Sequence, residues 1–127
     1  MGEIMNVPNT DMVSFKADST ESKIELYKAI NSPDYRVSDM INKKIKVRDA
    51  ICMNVAITDD TTGEVKDMFR SIIIDTDGKS YTAVSSGIYS SLQNLYKVFG
   101  TLHFDDGLEM TVIQVKTKRG STLSLTF

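Results

Sequence analysis

The chain is organised around a β-hairpin that the sequence marks at residues 72–85. An apolar run, Ile72-Ile73-Ile74, precedes the pair Asp77-Gly78, and a second β-rich run, Tyr81-Thr82-Ala83-Val84, follows it. Glycine adopts positive φ without steric cost and aspartate tolerates it, so Asp-Gly between two such runs favours a tight turn. We therefore predict two antiparallel strands that meet here, the second spanning Lys79 to Val84.

A helical pattern follows this hairpin. Apolar residues recur at a spacing of three or four at Ile88, Leu92, Leu95 and Phe99. Serines at the front can cap a helix, and Gly100 is a typical stop. We predict one helix here. Two of its tyrosines, at 89 and 96, either cover the sheet in part or contact another subunit.

Alternation of apolar and polar residues predicts the other strands. After Lys43 one side of the first strand carries Ile45, Val47, Ile51, Met53, Val55 and Ile57, and the other carries Lys44, Lys46, Arg48, Cys52 and Asn54. Asp49 falls on the apolar side, which predicts a β-bulge or bend near Asp49-Ala50. Further strands are predicted at 65–75, 108–117 and 121–127, with a tight turn at Lys118-Arg119-Gly120. Because Ile72 to Ile74 is apolar on both faces, we expect the helix to cover that end of its strand.

The N-terminal third has weaker patterns. Residues 1–11 lack any period and predict a flexible tail, and Met12–Lys16 predicts a short strand. Ile24–Ile30 fits both an alternating and a helical spacing, and we favour a strand. Val37–Asn42 predicts a short helical turn or connector.

The predicted order after residue 43 is three strands, one helix and two strands. This order is typical of the OB-fold, a five-stranded Greek-key barrel that binds ligands on strands two and three and on the loops beside them. We therefore predict a mainly β protein in three parts. These are a flexible tail (1–11), an N-terminal extension that adds strands or projects from the barrel (12–42), and an OB-fold-like barrel with its helix between strands three and four (43–127).

Composition excludes several classes of protein. A length of 127 residues fits one domain. The first eleven residues contain no basic segment followed by an apolar run, and no apolar stretch is long enough to cross a bilayer. We therefore expect a cytoplasmic protein without membrane contact. Cys52 is the single cysteine, so an internal disulfide is excluded and a reduced, small hydrophobic residue is expected.

Signals of catalysis are absent from the sequence. His103 is the single histidine, so no cluster of histidines and cysteines can bind a metal, and we interpret it as a loop residue without a role. No glycine-rich phosphate-binding motif occurs. Asp59-Asp60 and Asp105-Asp106 lie near glycines and are better explained as turn residues than as catalytic carboxylates. We expect a non-enzymatic protein without metal or cofactor.

Charge is unevenly distributed over a chain whose net charge is −2. Residues 1–42 carry seven acidic and four basic side chains, and residues 43–127 carry ten and eleven. Basic clusters occur at Lys43, Lys44, Lys46 and Arg48, and again at Lys116, Lys118 and Arg119. Such clusters form either an electrostatic groove or solvated faces that resist edge pairing. Charge alone leaves both readings open.

Binding of single-stranded nucleic acid requires aromatic rings that stack on bases and cations that neutralise phosphates. The candidate residues are Tyr81, Phe69, Arg70, Lys79, Lys46, Arg48, Lys116, Lys118 and Arg119. Phe69 and Arg70 are neighbours on one strand and point to opposite faces, so a core position stays open for Phe69. Tyr81 is the preferred stacking residue, because its hydroxyl tolerates a wet face, and we expect it to be open to solvent. For Lys118 and Arg119 the alternative is turn solubility.

The segment Asp77-Gly78-Lys79-Ser80-Tyr81, the helix that ends at Gly100 and the closing strands together resemble a known family. They are similar to the small single-stranded DNA-binding proteins of tailed phages that infect Gram-positive bacteria. The resemblance extends over roughly the whole chain and includes the segment from Asn31 to Tyr35. It implies an OB-type fold, stoichiometric coating of single-stranded replication intermediates and no catalysis, and it carries Tyr81 over as a base-stacking residue.

The leading hypothesis is a non-enzymatic protein that coats single-stranded DNA during phage replication with little sequence preference. Its expected partners are single-stranded DNA and replication proteins. Two alternatives stay open: a β-barrel module for protein interaction or assembly, and an RNA-binding OB domain. The sequence leaves a monomer and a dimer equally open.

Overall fold

The computed structural model of the chain describes residues 12–13, 19–58, 60–118 and 120–127, so the tail predicted at 1–11 lies outside the described residues. The elements within these ranges are β1 (Met12–Val13), α1 (Thr20–Asn31), β2 (Tyr35–Arg36), β3 (Lys44–Thr58), β4 (Val65–Asp75), β5 (Ser80–Ala83), α2 (Ser86–Phe99), β6 (Leu108–Thr117) and β7 (Gly120–Thr126). A short 3₁₀ helix at Val37–Met40 confirms the predicted helical turn.

The strands form one curled sheet in the order β2-β5-β4-β3-β6-β7, and β1 adds to β3 beside this path. β2 runs parallel to β5, and the other neighbours are antiparallel. β3 pairs with β4 over most of its length, but it pairs with β6 only at its start, from Lys44 to Val47. The prediction of a mainly β fold is confirmed. The strand count differs from five, because β1 and β2 join the sheet, and a second helix is present.

The bulge predicted in the first strand is confirmed, and it changes which side chains are buried. The pairing of β3 with β4 shifts register between Val47 and Asp49. One extra residue on a strand inverts the alternation beyond it. Ala50 and Cys52 therefore join Val47 in the interior cluster, whereas Ile51 packs on the opposite face. The predicted placement of Cys52 beside the cationic side chains is wrong, since Cys52 is fully buried.

Helix α2 covers the interior of the curled sheet and confirms the helix predicted there. Its apolar stripe, Ile88, Leu92 and Leu95, is buried in the interior cluster. The side chain of Ser85 accepts a hydrogen bond from the backbone N–H of Ile88, which caps the first turn. Gly100 ends the helix in the left-handed region with φ of 74°.

Helix α1 replaces the strand that was predicted at Ile24–Ile30, so that prediction is wrong. Ala29 is buried in a second cluster with Ile51, Ile72 and Ile74 on the outer face of the sheet, and Leu26 and Ile30 pack against it. These three positions on α1 share one helical face, and contact with the sheet decides a pattern that local alternation leaves ambiguous. The expectation that α2 covers Ile72 to Ile74 therefore holds for one face only: Ile73 packs in the interior cluster with α2, whereas Ile72 and Ile74 on the outer face are covered by α1. Within the described ranges, no helix combines the length and the apolar character needed to cross a membrane.

Candidate nucleic-acid interface

Several of the predicted binding residues line one groove of about 290 Å³ beside the β4–β5 turn. We call it the lysine groove. Its lining residues are Lys44, Ile45, Lys46, Asp75, Thr76, Asp77, Lys79, Tyr81 and Glu109. The fold therefore brings Lys46, Lys79 and Tyr81 together, as the sequence predicted, although they come from two strands and a turn.

Lys46 is positioned by a close approach of the loop before β6. A Cβ atom built on Gly107 would lie 2.7 Å from Cγ of Lys46 and 2.6 Å from Cγ2 of Thr76. Gly107 also has φ of 82°, a conformation that other residues rarely adopt. The backbone N–H of Thr76 donates to the carbonyl oxygen of Lys46 at 3.1 Å. A glycine at 107 therefore lets the loop pack on the aliphatic stem of Lys46.

The carboxylates of the lysine groove differ in the hydrogen bonds and ion pairs that they form within the protein. Asp75 is buried, and its Oδ1 accepts hydrogen bonds from the backbone N–H groups of Asp77 and Lys79, both at 2.9 Å. Glu109 lies 3.8 Å from Lys44 in an exposed ion pair, a type that contributes about 0–1 kcal/mol. Asp77 is the third carboxylate among the lining residues, and it is exposed.

The expectation that Tyr81 lies open to solvent is wrong, because its side chain is only 5% exposed. Its hydroxyl donates to Oδ2 of Asp75 at 2.8 Å. Burial, together with this hydrogen bond to a carboxylate, raises the pKa of Tyr81 well above its ordinary value, so the hydroxyl stays a donor. Tyr81 cannot offer a free ring face to a base in this arrangement.

The ring that covers Tyr81 belongs to Tyr35, which sequence reasoning left out of the site. The two rings stack with centroids 5.4 Å apart and planes inclined by 26°. Tyr35 is 42% exposed, and Nζ of Lys79 lies over its ring, 5.9 Å from the centroid. The two tyrosines are register partners in the β2–β5 ladder. The signal available in the sequence was the tyrosine after the Ser32-Pro33-Asp34 turn, but pairing of residues so distant in the chain gives no local pattern.

A second groove runs along β5 towards the β6–β7 turn, and we call it the outer groove. It consists of two adjoining cavities of about 290 and 530 Å³ that share Val84, Ser85 and Leu123. Its other lining residues are Arg36, Ser38, Met68, Thr82, Ala83, Ser86, Thr117, Ser121 and Thr122.

Three more predicted residues lie beside the outer groove. Nε of Arg70 donates to Oγ1 of Thr82 at 3.0 Å, which places this guanidinium at the groove's wall. Lys116 and Lys118 are exposed and flank the lining residue Thr117 in sequence, although neither lysine itself lines the groove. Arg119, the last residue of that predicted basic cluster, lies outside the described residues.

Two predicted residues are engaged elsewhere. Nη2 of Arg48 donates to Oε1 of Glu25 at 2.6 Å, and its Nε donates to Oδ2 of Asp49 at 2.9 Å. Phe69 is half-buried and stacks on Tyr89 of α2, with ring centroids 4.0 Å apart and planes 3° from parallel. This contact favours the core alternative for Phe69 and identifies Tyr89 as partial cover for the sheet.

His103 has a structural role that the sequence did not indicate. Its Nδ1 lies 2.5 Å from Oδ1 of the buried Asp49, and its Nε2 lies 2.6 Å from Oδ1 of Asp105. Hydrogen bonds to Asp49 and Asp105 raise the pKa of His103 above its ordinary value, although partial burial opposes them. Across the part of the chain that the structure describes, no group of three or more His, Cys, Asp or Glu side chains could hold a metal ion.

The lysine groove brings cationic side chains together beside the exposed ring of Tyr35, which Tyr81 supports. A family model described as Phage Single-stranded DNA-binding protein matches residues 5–127. Comparisons with curated proteins and with solved structures find no match. The family match extends over nearly the whole chain and agrees with the resemblance carried by the Asp77–Tyr81 segment. The chain belongs to the family of phage single-stranded DNA-binding proteins.

Proposed function

We propose that this protein binds single-stranded DNA without catalysis and coats single-stranded intermediates of phage DNA replication in the host cytoplasm. Membership of the family supports the class of ligand. The observation that carries the proposal is the meeting of Lys46 and Lys79 in one groove beside the exposed ring of Tyr35. Cations neutralise phosphates and a ring accepts a base, which are the two requirements of single-strand binding.

We expect the bound DNA strand to cross the β-strand β2. Tyr35 lies over the end of the lysine groove through its contact with Tyr81, and its neighbour Arg36 lines the outer groove. A DNA strand that follows both grooves meets Lys46 and Lys79 first, then Tyr35 and Arg36, and finally Lys118.

We assign the fold to an OB-like barrel, because the pairing order β5-β4-β3-β6-β7 with α2 between β5 and β6 is consistent with it.

Low sequence specificity follows from the types of residue in the lysine groove. The ammonium group of lysine is a compact charge without the fixed fork with which arginine recognises a guanine edge. Stacking tolerates every base, because each base has a π-face. We therefore expect oligomers of dT, dC and dA to bind with affinities within about tenfold of one another.

The test is fluorescence anisotropy of a labelled dT oligomer at several salt concentrations. Neutralisation of three or four phosphates predicts that log K falls with log salt concentration with a slope of about −2 to −3. Unlabelled duplex DNA and rU oligomers serve as competitors. Absence of binding at low salt, or preference for duplex, would contradict the proposal, and preference for rU would favour RNA binding instead.

A further inference from the structure

Tyr35 is the exposed member of a stacked pair whose inner member is fixed. Tyr81, 5% exposed, lies beneath it, and the Tyr81 hydroxyl is held by Oδ2 of Asp75 at 2.8 Å. The other carboxylate oxygen of Asp75 is held by two backbone N–H groups of the β4–β5 turn. The support under the Tyr35 ring is therefore anchored to the sheet and not to another surface side chain.

A separate pair of hydrogen bonds fixes the backbone before Tyr35. The backbone N–H of Asp34 donates to Oγ of Ser80 at 3.1 Å, and the backbone N–H of Ser80 donates to Oδ2 of Asp34 at 2.9 Å. The β2–β5 ladder continues from this point with Tyr35 opposite Tyr81. Tyr35 is thus held on its backbone side and on one face of its ring, while 42% of it stays exposed.

We propose that Tyr35 stacks on a nucleobase of the bound strand and that Tyr81 is the positioning residue that holds the Tyr35 ring in place. This inference rests on the proposed function and deepens it by assigning the base-contacting residue. A ring whose orientation is fixed before binding loses little conformational freedom when a base stacks on it. Lys79 is exposed, so its ammonium group can exchange the Tyr35 ring for the phosphate beside the stacked base.

The opposing explanation is that Tyr35 serves only to cover Tyr81. The two explanations differ in whether loss of the Tyr35 ring lowers the affinity only for a DNA strand that carries bases or also for an abasic strand. A stacking residue contributes to binding of a strand that has bases and contributes nothing to an abasic strand of the same length. A covering residue that acts through the fold changes both affinities by the same factor.

The experiment compares a dT oligomer with an abasic oligomer of equal length, for the full chain and for Tyr35→Ala. The expected result is that Tyr35→Ala lowers the affinity for dT by about tenfold and leaves the affinity for the abasic strand unchanged. Tyr35→Phe keeps the ring and should restore the affinity for dT. Tyr27→Ala is the matched control, because Tyr27 is a 69% exposed tyrosine on α1 outside the residues that line either groove.

Each other outcome overturns a different statement. If the unchanged chain binds neither oligomer, the proposed function fails and this inference fails with it. If the unchanged chain binds dT and Tyr35→Ala binds it equally well, or loses both oligomers by the same factor, only the stacking role fails. Should Tyr35→Ala not fold, photocrosslinking of the unchanged chain to a 5-iododeoxyuridine oligomer decides, since an adduct on Tyr35 supports stacking and adducts found only elsewhere refute it.

Discussion

Arg48 and Glu25 form an ion pair, 2.6 Å from Nη2 to Oε1, that joins strand β3 to helix α1. The same guanidinium donates from Nε to Asp49, which in turn contacts His103. A side chain predicted to meet phosphate is therefore committed to carboxylates of its own chain. Its role in the folded protein is to hold α1 and the bulge of β3 together.

Substitution of Arg48 should separate stability from DNA binding. We expect Arg48→Ala to lower the free energy of unfolding by about 1–3 kcal/mol, because the buried Asp49 loses one hydrogen-bond donor. Affinity of the folded variant for a dT oligomer should stay within about twofold, since Arg48 lines neither groove. Chemical denaturation and anisotropy measure the two quantities, and a large loss of affinity in a folded variant would contradict this assignment.

Substitution of Lys46 or Lys79 should instead weaken DNA binding more than it changes stability. Removal of either ammonium group by substitution with alanine should weaken binding at low salt and reduce the salt slope by about 0.7, the value for one phosphate contact on a single strand. Stability should change little in Lys79→Ala, because that side chain is exposed. Lys46→Ala also removes the aliphatic stem that packs against the Gly107 loop, so its affinity is measured under conditions where the variant is shown to be folded.

Lys97→Ala is the control for these two variants, because Lys97 is an exposed lysine in the last turn of α2 and lies outside both grooves. A salt slope that is the same in Lys46→Ala, Lys79→Ala and Lys97→Ala would show that the lysine groove does not contact phosphate.

Strands β3 to β7 and helix α2 could be predicted from local patterns, since each has a regular period and a turn or cap at its ends. Helix α1 could not, because the segment Ile24–Ile30 fits both an alternating and a helical period, and contact with Ile72 and Ile74 on a distant strand decides between them. Tertiary contact overrides local propensity in such segments.

The candidate site was only partly predictable for a related reason. Lys46 and Lys79 reach one groove because β3 and the β4–β5 turn are neighbours in any sheet with this strand order. Burial of Tyr81 depends on β2, a strand of two residues that has no pattern of its own. The hairpin sequence therefore predicted the grouping of Lys46, Lys79 and Tyr81, but not the burial of Tyr81 beneath the ring of Tyr35.

The network around His103 predicts a defined dependence of stability on pH. Its pKa is raised in the folded protein by Asp49 and Asp105, so its contribution to stability is complete below its unfolded pKa of about 6.5 and is lost as pH rises through the folded value. We expect the difference in melting temperature between the unchanged chain and His103→Gln to be largest near pH 6 and to shrink as the pH rises further.

Thermal unfolding followed by circular dichroism at several pH values measures this difference. Asp106→Asn is the control, because Asp106 is exposed and neighbours Asp105 in sequence. A difference for His103→Gln that grows with pH, or that is independent of pH, would show that the imidazolium form does not bridge the two carboxylates.

Gly87 lies where helix α2 packs tightly against strand β7, so substitution with alanine should destabilise the protein instead of stabilising the helix. A Cβ atom built on Gly87 would lie 1.9 Å from the carbonyl oxygen of Leu123 and 2.7 Å from Oγ1 of Thr122. Alanine normally stabilises a helix by up to about 1 kcal/mol relative to glycine. Here the contact is with backbone, so we expect Gly87→Ala to destabilise the protein by about 1–3 kcal/mol. Ser90→Ala, on the exposed face of the same helix, is the control and should be neutral or slightly stabilising. Chemical denaturation measures both variants. A Gly87→Ala variant that is as stable as the unchanged chain would mean that α2 does not pack this closely on β7.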